Sequence, residues 1–233
     1  ALGTQDFSVH FSSKISPWHD IPLFAKSIST GARIVHVVNE IPMGTFAKNE
    51  IHTKLPFNPI KQDVSKTGAL RYLLYSKTGI PFNYGCLPQT WEGNSAVPLD
   101  EYNLSGCHGD NDPLDVVDIS GKPLAVGAVR KAVLLGALAL IDEGEIDWKV
   151  ICHVIEDREE WNVERASDKL KMGIDSIRDW FINYKTAEGK PKNVLAENAK
   201  LFDAGFTQKL VKNMHGTYRR LIDGEVKNTS CLW

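Results

Sequence analysis

The chain has 233 residues, of which 42% are hydrophobic and 24% charged, and its formal net charge is -2. A chain of this length can bury a sizeable apolar core without crosslinks, which predicts one domain over residues 1–233. The near-neutral charge excludes a protein that attracts nucleic acid or an anionic membrane through a global basic field. The longest apolar run, residues 132–141, is too short to span a bilayer. We therefore expect a globular protein without membrane insertion.

Cysteine usage indicates an intracellular protein. The 4 cysteines show no metal-ligand spacing and are too few for a disulfide scaffold in a chain of this size, so a reducing compartment is expected. Residue 1 is Ala rather than Met, and a missing presequence would carry the targeting signal. The sequence does not decide between the cytoplasm and an organelle lumen.

The first two thirds of the chain are predicted to be strands separated by Pro and Gly turns. Alternation or β-branched runs predict strands at residues 7–12, 34–38, 70–75, 115–119, 126–135, 138–141 and 148–155. The period then changes to that of a helix, first from Leu170 to Tyr184 with Ser167 or Asp168 as the cap, and again from Phe206 to Leu221. Strands followed by helices predict an α+β fold, a curved antiparallel sheet or small barrel with helices packed on one side.

Residues 110–118 hold four aspartates in a setting of Pro, Leu and Val that is typical of a partly buried strand. Carboxylates this close repel one another, so either several are protonated or a bound cation compensates them. Ligands that are all oxygen select hard cations, and Mg2+ or Mn2+ suits a few carboxylates with room for water and phosphate. A solvated acidic loop is the alternative. An EF-hand is excluded because Leu114, Asp115 and Gly121 occupy its fifth, sixth and twelfth positions.

Further charged residues could join the four aspartates. Residues 142–147 hold Asp142, Glu143, Glu145 and Asp147 around one Gly, which predicts a hairpin with acids at both strand ends, although an ordinary polar turn would look the same. The other candidates are two acids and four bases, Glu40, Glu50, Lys48, Arg71, Lys149 and Lys185. Metals held by acids and facing a ring of Lys, Arg and Tyr are what phosphoryl transfer to water requires. The phosphate-loop, zincin and serine-hydrolase motifs are absent.

At residues 110–116 the sequence Asp-Asn-Asp-Pro-Leu-Asp-Val resembles the signature of family I soluble inorganic pyrophosphatases, and the resemblance spans about residues 15 to 222. It also covers residues 18–23, 40–42, 58–63, 83–85, 88–92, 142–145, 147–149, 180–181, 184–185 and 189–191. The segment 88–92, Pro-Gln-Thr-Trp-Glu, is similar to the eukaryotic branch. The family implies an α+β, mainly β fold: a five-stranded OB-like closed barrel with helices packed against it.

The resemblance implies hydrolysis of pyrophosphate to two phosphates by a metal-bridging water or hydroxide, with three or four Mg2+ ions for which Mn2+, Zn2+ or Co2+ can substitute. Asp110, Asp115 and Asp147 would hold the first metal, Asp115 would bridge to the second, and Asp112 would be the general base. Glu50, Asp142 and Asp147 would hold metals that arrive with substrate, with Glu40 in the outer shell. The implied phosphate ligands are Lys48, Arg71, Tyr84, Lys149, Tyr184 and Lys185.

Two departures and two alternatives accompany this interpretation. Ile80 stands where the eukaryotic enzymes have a Tyr, and residues 43–44 stand where fungal enzymes carry a dimer contact, so a homo-oligomer is expected but the fungal interface is not. Hydrolysis of tripolyphosphate or longer chains with Zn2+, Mn2+ or Co2+ is an alternative within the same class. The rival from another class is a non-catalytic OB-type binding module, which should carry basic and aromatic residues on its binding face rather than eight acids.

Overall fold

The computed structural model describes residues 3–25, 34–93, 108–142, 144–155 and 162–233. Within these ranges lie ten strands, β1 Ser8–Val9, β2 Ile34–Ile41, β3 Asn49–Ile51, β4 Ile60–Gln62, β5 Asn83–Cys86, β6 His108–Gly109, β7 Asp115–Asp118, β8 Val129–Asp142, β9 Glu145–Ile155 and β10 Val194–Leu195. Two long helices span Val163–Asn183 and Ala204–Ile222, and 3-10 helices span Ser12–Lys14 and Tyr184–Glu188. A short turn at Ala196–Ala199 precedes the second long helix.

Five strands form a ring of hydrogen-bonded neighbours. β8 pairs with β2, β2 with β5, β5 with β7, β7 with β9, and β9 pairs back with β8. All of these pairings are antiparallel except that of β7 with β9, which is parallel. The ring confirms the mainly β, OB-like fold, and it corrects the expectation of a purely antiparallel sheet. β1, β4 and β3 form a separate three-stranded sheet.

The bulge between Leu134 and Gly136 changes which alternate residues of β8 face each of two hydrophobic clusters. Before the bulge, Ala132 and Leu134 belong to one cluster, and after it Ala137 and Ala139 join the same cluster. Successive strand residues face opposite sides, and an inserted residue shifts that alternation by one. The sequence prediction of two strands at 126–135 and 138–141 was therefore wrong, because the chain continues through the bulge as one strand.

Each long helix packs against a different cluster. The second helix contributes Leu210 and Met214 to the cluster that contains Ala132 and Leu134 of β8. The first helix contributes Leu170, Ile174 and Ile177 to the other cluster, which contains the alternate residues Val133 and Leu135. These clusters take alternate residues of β8, so the helices cover opposite faces of that strand rather than one side as predicted.

The first helix also begins earlier than predicted. Its cap is Asn162, whose side chain accepts a hydrogen bond from the backbone N–H of Arg165, rather than Ser167 or Asp168. The second helix agrees with the predicted span, and Asp203 caps it.

Two predicted strands of the first third are mostly irregular. Residues 70–75 make only isolated bridges, Leu70 with Val64 and Tyr72 with Ala47. Of residues 7–12, only Ser8–Val9 forms a strand. The residues that form the bridges are wholly or partly exposed, and Leu73 is the one buried residue of 70–75, so little apolar surface holds a regular ladder. Among the described residues, no helix combines the length and apolar character that a bilayer crossing needs.

Candidate active site

Twelve of the predicted site residues line a single cavity of about 160 Å³. They are Glu40, Lys48, Glu50, Arg71, Tyr84, Asp110, Asp112, Asp115, Asp147, Lys149, Tyr184 and Lys185. The thirteenth, Asp142, ends β8, and its side chain lies outside the described part of the structure. The fold therefore brings together residues that are up to 145 positions apart in the chain, the separation of Glu40 and Lys185.

Three neighbouring strands of the ring place the centre of the cavity. Tyr84 lies on β5, Asp115 opens β7, and Lys149 lies on β9. Cys86 is opposite Asp115 across one pairing, and Lys149 is opposite Asp115 across the other. Asp147 precedes Lys149 by two residues, so both side chains leave the same face of β9. Strand register alone thus sets these groups side by side.

The loop before β7 carries the other two aspartates of the cavity and is fixed by the backbone of Glu92. The N–H of Asn111 donates to the Glu92 carbonyl at 2.8 Å, and the N–H of Glu92 donates to the Asp112 carbonyl at 2.9 Å. Asn111 has φ 75°, a left-handed conformation that Asn tolerates. A Cβ on Gly109 would lie 2.3 Å from the Glu92 carbonyl oxygen, so this approach requires glycine. Within the loop, the Asp112 N–H also donates a hydrogen bond to Asp110 Oδ1 at 3.0 Å.

Lys149 neutralises the inner end of the cavity. Its Nζ lies 2.5 Å from Asp115 Oδ2 and 2.5 Å from Asp147 Oδ1, and it donates to the Tyr84 hydroxyl at 2.9 Å. The Tyr84 hydroxyl in turn donates to Asp115 Oδ2. Burial alone would lower the pKa of Lys149, but Asp115 and Asp147 raise it well above its ordinary value. The lysine is therefore a fixed cation between two carboxylates.

A second ionic network involves Lys48 and Arg71, which also line the cavity. Asp63 Oδ2 lies 2.7 Å from Lys48 Nζ and 2.6 Å from Arg71 Nη1, so one carboxylate fixes both cations. Lys48 also contacts Glu50 at 2.6 Å, and Arg71 contacts Glu188 at 3.0 Å. Burial opposes ionisation of Asp63, but Lys48 and Arg71 outweigh it and lower the pKa of Asp63. Sequence reasoning gave no role to Asp63 or Glu188. Asp63 lay within the matched segment 58–63, whereas no spacing indicated Glu188.

Three further carboxylates of the cavity, Asp110, Asp112 and Asp147, have raised pKa values, although Asp147 also contacts Lys149. Asp112 is accessible through the cavity mouth, yet the protein around it reduces its solvation, and burial together with Glu50 raises its pKa to about 7. Burial and then Asp115 raise the pKa of Asp147 to about 7, although Lys149 opposes this. Burial and Asp147 raise the pKa of Asp110 well above its usual range. Such mutual repulsion is what a bound divalent cation would relieve, so these residues fit a metal centre.

Glu40 is buried at the edge of the cavity. Its Oε1 accepts a hydrogen bond from the Ile51 N–H at 2.7 Å. Burial, followed by the charge of Asp115, raises the pKa of Glu40 well above its usual range. The Cys86 thiol lies beside it, and the pKa of that thiol is raised by burial and by Glu40.

One group of three carboxylates has the spacing of a metal site among the described residues. Glu92, Asp110 and Asp147 each offer an oxygen, and these oxygens lie within 4.8 Å of one another. Sequence reasoning did not assign Glu92 a role, although an acid between Trp91 and Gly93 is a signal of burial. Asp115, which the resemblance assigns to the same metal as Asp110 and Asp147, is not in this group of three, and both Asp115 and Asp147 contact Lys149.

The fourth aspartate of the 110–118 stretch, Asp118, does not line the cavity. It is buried, and it accepts hydrogen bonds from Asn83, Ser120 and the backbone N–H of Val154. The sequence interpretation of four mutually repelling aspartates therefore applies to three, because Asp118 is satisfied by donors of its own.

Ile80, the residue that departs from the eukaryotic pattern, is buried. It lines a small apolar cavity of about 30 Å³ next to the main one, together with Tyr84, Trp180 and Tyr184. The wall at this point is therefore hydrophobic, without the hydroxyl that a Tyr would bring.

A five-stranded ring with one cavity that combines crowded carboxylates and fixed cations defines an OB-like barrel protein suited to bind divalent metals and phosphate together. A model of the inorganic pyrophosphatase family matches residues 37–219. An inorganic pyrophosphatase from Bos taurus is 43% identical over 225 residues, which cover 94% of this chain and 74% of that protein.

Solved structures agree with the sequence comparison. The crystal structure of a type I inorganic pyrophosphatase from Toxoplasma gondii matches with a TM-score of 0.83 at 37% identity, covering 95% of this chain and 96% of that chain. A truncated vacuolar soluble pyrophosphatase from Trypanosoma cruzi, solved in complex with PPi, matches with a TM-score of 0.79 at 36% identity, covering 90% of this chain and 80% of that chain. The chain therefore belongs to the inorganic pyrophosphatase family, which confirms the family resemblance and makes the protein a hydrolase.

Proposed function

We propose that the protein hydrolyses inorganic pyrophosphate to two phosphates with Mg2+ as its metal. The observation that carries the proposal is the convergence of twelve predicted residues, six acids and six cationic or phenolic groups, on one cavity. The carboxylates can hold divalent cations, and the Lys, Arg and Tyr groups can hold phosphate oxygens. Hydrolysis of a phosphoanhydride needs both groups, one to hold the metals and one to hold the phosphates.

The metal-holding residues of the proposal are the acids of the cavity. Asp110, Asp115 and Asp147 would hold the first metal, Glu50 and Asp142 would hold metals that arrive with substrate, and Glu40 would support them from its buried position. When bound, the metals would neutralise phosphate charge and lower the pKa of water. Up to four ions, with Mn2+, Zn2+ or Co2+ as substitutes, are part of this proposal.

Asp112 is the proposed general base. It is the most accessible aspartate of the cavity, and its raised pKa of about 7 matches a group that takes a proton from water near neutral pH. The Thr53 hydroxyl lies 3.5 Å from Asp112 Oδ1, and the loop hydrogen bonds to Glu92 limit the backbone movement of Asp112. Its ionised form is favoured once cations occupy the neighbouring carboxylates.

The proposed phosphate ligands are Lys48, Arg71, Tyr84, Lys149, Tyr184 and Lys185. Three of them, Lys48, Arg71 and Lys149, are paired with carboxylates in the structure. Binding of metals to Glu50, Asp115 and Asp147 would weaken two of these pairings and leave Lys48 and Lys149 available to phosphate. The cations would then accept the charge that develops as the anhydride bond breaks.

The proposal also covers the domain organisation, the localisation, the oligomeric state and a second substrate. Residues 1–233 would act as one catalytic domain, intracellular in the cytoplasm or an organelle lumen, and as a homo-oligomer. Tripolyphosphate hydrolysis with Zn2+, Mn2+ or Co2+ is a second candidate activity, because metals of relaxed geometry can admit a longer substrate.

A matrix of metals against substrates tests the proposal. Phosphate release from pyrophosphate and tripolyphosphate is measured with Mg2+, Mn2+, Zn2+, Co2+ or Ca2+, and we expect Mg2+ with pyrophosphate to dominate. Ca2+ should inhibit, because the larger ion prefers more ligands and looser geometry. Asp112→Asn should lower kcat by about 10² to 10⁴ while its circular dichroism stays that of the parent. Asp175→Asn, an exposed aspartate of the first helix, is the matched control. Full activity of Asp112→Asn would refute its assigned role.

A further inference from the structure

Glu92 is a buried acid that the proposed mechanism does not use. Its residue exposure is 1%, and its backbone exchanges hydrogen bonds with Asn111 and Asp112. The side chain is consequently held beneath the loop that carries the aspartates of the cavity. A carboxyl group at such a depth needs partners, because burial without them is unfavourable.

Only half of this carboxyl group has a partner within the described part of the chain. Oε1 accepts a hydrogen bond from the Trp148 N–H at 3.2 Å. Oε2 is buried and has no hydrogen-bond donor among the described residues. A buried acceptor without a donor typically costs about 1 to 3 kcal/mol, so a native protein retains one only for a reason.

The position of the group supplies that reason. One oxygen each from Glu92, Asp110 and Asp147 lie within 4.8 Å of one another. Oxygens on opposite sides of a Mg2+ ion are about 4.2 Å apart, since each lies about 2.1 Å from the metal. At most one pair of the three oxygens can be opposite in an octahedral site, and cis oxygens are about 3.0 Å apart, so the three side chains would have to draw closer together when they share one ion.

We propose that Glu92 is a ligand of the metal centre, contributing a carboxylate oxygen from its buried side together with Asp110 and Asp147. The inference rests on the proposed function in so far as that function requires a metal here, and it adds a residue outside the predicted metal set. Glu92 would approach the ion from its buried position, and Asp115, which contacts Lys149 and Tyr84, keeps the metal role proposed for it above. The alternative is that Glu92 only supports Trp148 and the loop.

Glu92→Gln separates these possibilities. The amide keeps an oxygen for the Trp148 N–H and replaces the unpartnered oxygen with an NH2 group, which cannot bind a cation. Mn2+ binding is measured on the whole protein without substrate, from the electron paramagnetic resonance of free Mn2+. We expect the tightest Mn2+ site to weaken by about tenfold or more, the usual effect of altering a residue that supports a metal.

Two further variants keep the test decisive. Asp118→Asn alters an equally buried acid whose oxygens have internal donors, and it should leave Mn2+ affinity within about twofold of the parent. Glu92→Asp retains the charge but withdraws it by one methylene, so it should bind Mn2+ more weakly than the parent and more tightly than Glu92→Gln. If Glu92→Gln does not fold, the Mn2+ affinity of Glu92→Asp alone tests whether Glu92 is a metal ligand.

The outcomes distinguish this inference from the proposed function. A folded Glu92→Gln or Glu92→Asp protein that binds Mn2+ as tightly as the parent overturns the inference, even when the parent hydrolyses pyrophosphate. A parent protein that binds Mn2+ but releases no phosphate from pyrophosphate refutes the proposed function and leaves the role of Glu92 intact. Parent protein without a Mn2+ site refutes both.

Discussion

The ammonium group of Lys149 lies 2.5 Å from Asp115 Oδ2, in register across the parallel pairing of β9 with β7. The same group contacts Asp147, so one buried lysine compensates two carboxylates when no metal is present. Lysine in this position is both a structural cation in the metal-free protein and a proposed phosphate ligand in the loaded one. Its two tasks can be separated by removing the charge.

Lys149→Met should destabilise the metal-free protein. The substitution keeps an apolar stem of similar length but leaves Asp115 and Asp147 buried without their cation, and breaking such a pairing typically costs about 3 to 5 kcal/mol. Mg2+ should recover part of the loss, because a divalent cation compensates the same carboxylates. Urea unfolding with EDTA or with Mg2+ measures both effects, and Lys149→Arg serves as the control that retains charge. A loss of stability that Mg2+ does not reduce would contradict the assignment of these acids to a metal.

Asp63→Asn should weaken substrate binding more than it slows turnover. Asp63 contacts both Lys48 and Arg71, so its loss removes the shared anchor of two proposed phosphate ligands. We expect KM for pyrophosphate to rise about tenfold with a smaller change in kcat, since positioning of ligands is lost rather than the reacting groups. Steady-state kinetics at saturating Mg2+ gives the two constants.

Glu188→Gln is the comparison for this prediction. Glu188 contacts Arg71 but not Lys48, and it lies outside the lining of the cavity. Its effect on KM should therefore be smaller than that of Asp63→Asn. The reverse order would show that Arg71 depends on the 3-10 helix rather than on Asp63.

The structure brings twelve of the predicted site residues to one cavity, whereas several predicted strands and the first helix cap differ from those observed. The segment 110–116 and the strands β7 and β9 have strong local signals, and their register carries Asp115, Asp147 and Lys149 to one place. The segment 70–75 resembled a strand because it is rich in Leu and Tyr, yet it pairs with its neighbours only through isolated bridges, Leu70 with Val64 and Tyr72 with Ala47. The pairing of Arg71 with Glu188 joins residues 117 positions apart, and no local pattern reports such a contact. Glu92 was missed for a different reason: its sequence context indicates burial but not what the buried oxygen faces.

Gly109→Ala should disturb the aspartate loop and the metal site together. A Cβ at this position would lie 2.3 Å from the Glu92 carbonyl oxygen and 2.5 Å from its carbonyl carbon, so the backbone must shift. Overpacking of this kind typically costs about 1 to 3 kcal/mol. Because Glu92 holds the loop, we expect weaker Mn2+ binding as well as a lower unfolding temperature.

Gly216→Ala is the matched control for that substitution. Gly216 lies within the second long helix, and nothing lies within 4 Å of its added Cβ. The change should raise stability by about 0.5 to 1 kcal/mol, because Ala is the better helix former. It should leave Mn2+ binding unchanged. Equal losses of metal affinity in the two variants would show that the effect of Gly109→Ala is not local.

Metal-induced stabilisation should grow as pH rises. In the metal-free protein the pKa values of Asp112 and Asp147 are raised to about 7, above the value of 3.8 for a free aspartate. Between these values the folded state binds more protons than the unfolded state, so its stability falls with increasing pH, and the penalty is complete above about pH 7. Asp63 does not mask this trend, because its pKa is lowered from 3.8 and its contribution is lost only below about pH 4.

Mg2+ removes that penalty because it binds the ionised carboxylates. The unfolding temperature with EDTA should therefore fall between about pH 5 and about pH 8, and the gap between Mg2+ and EDTA should widen over the same interval. Differential scanning calorimetry across this range measures both curves. Asp147→Asn removes one of the two titrating groups, so it should flatten the EDTA curve and narrow the gap at high pH. A gap that stays constant with pH in the parent protein would mean that these carboxylates do not release protons when the metal binds.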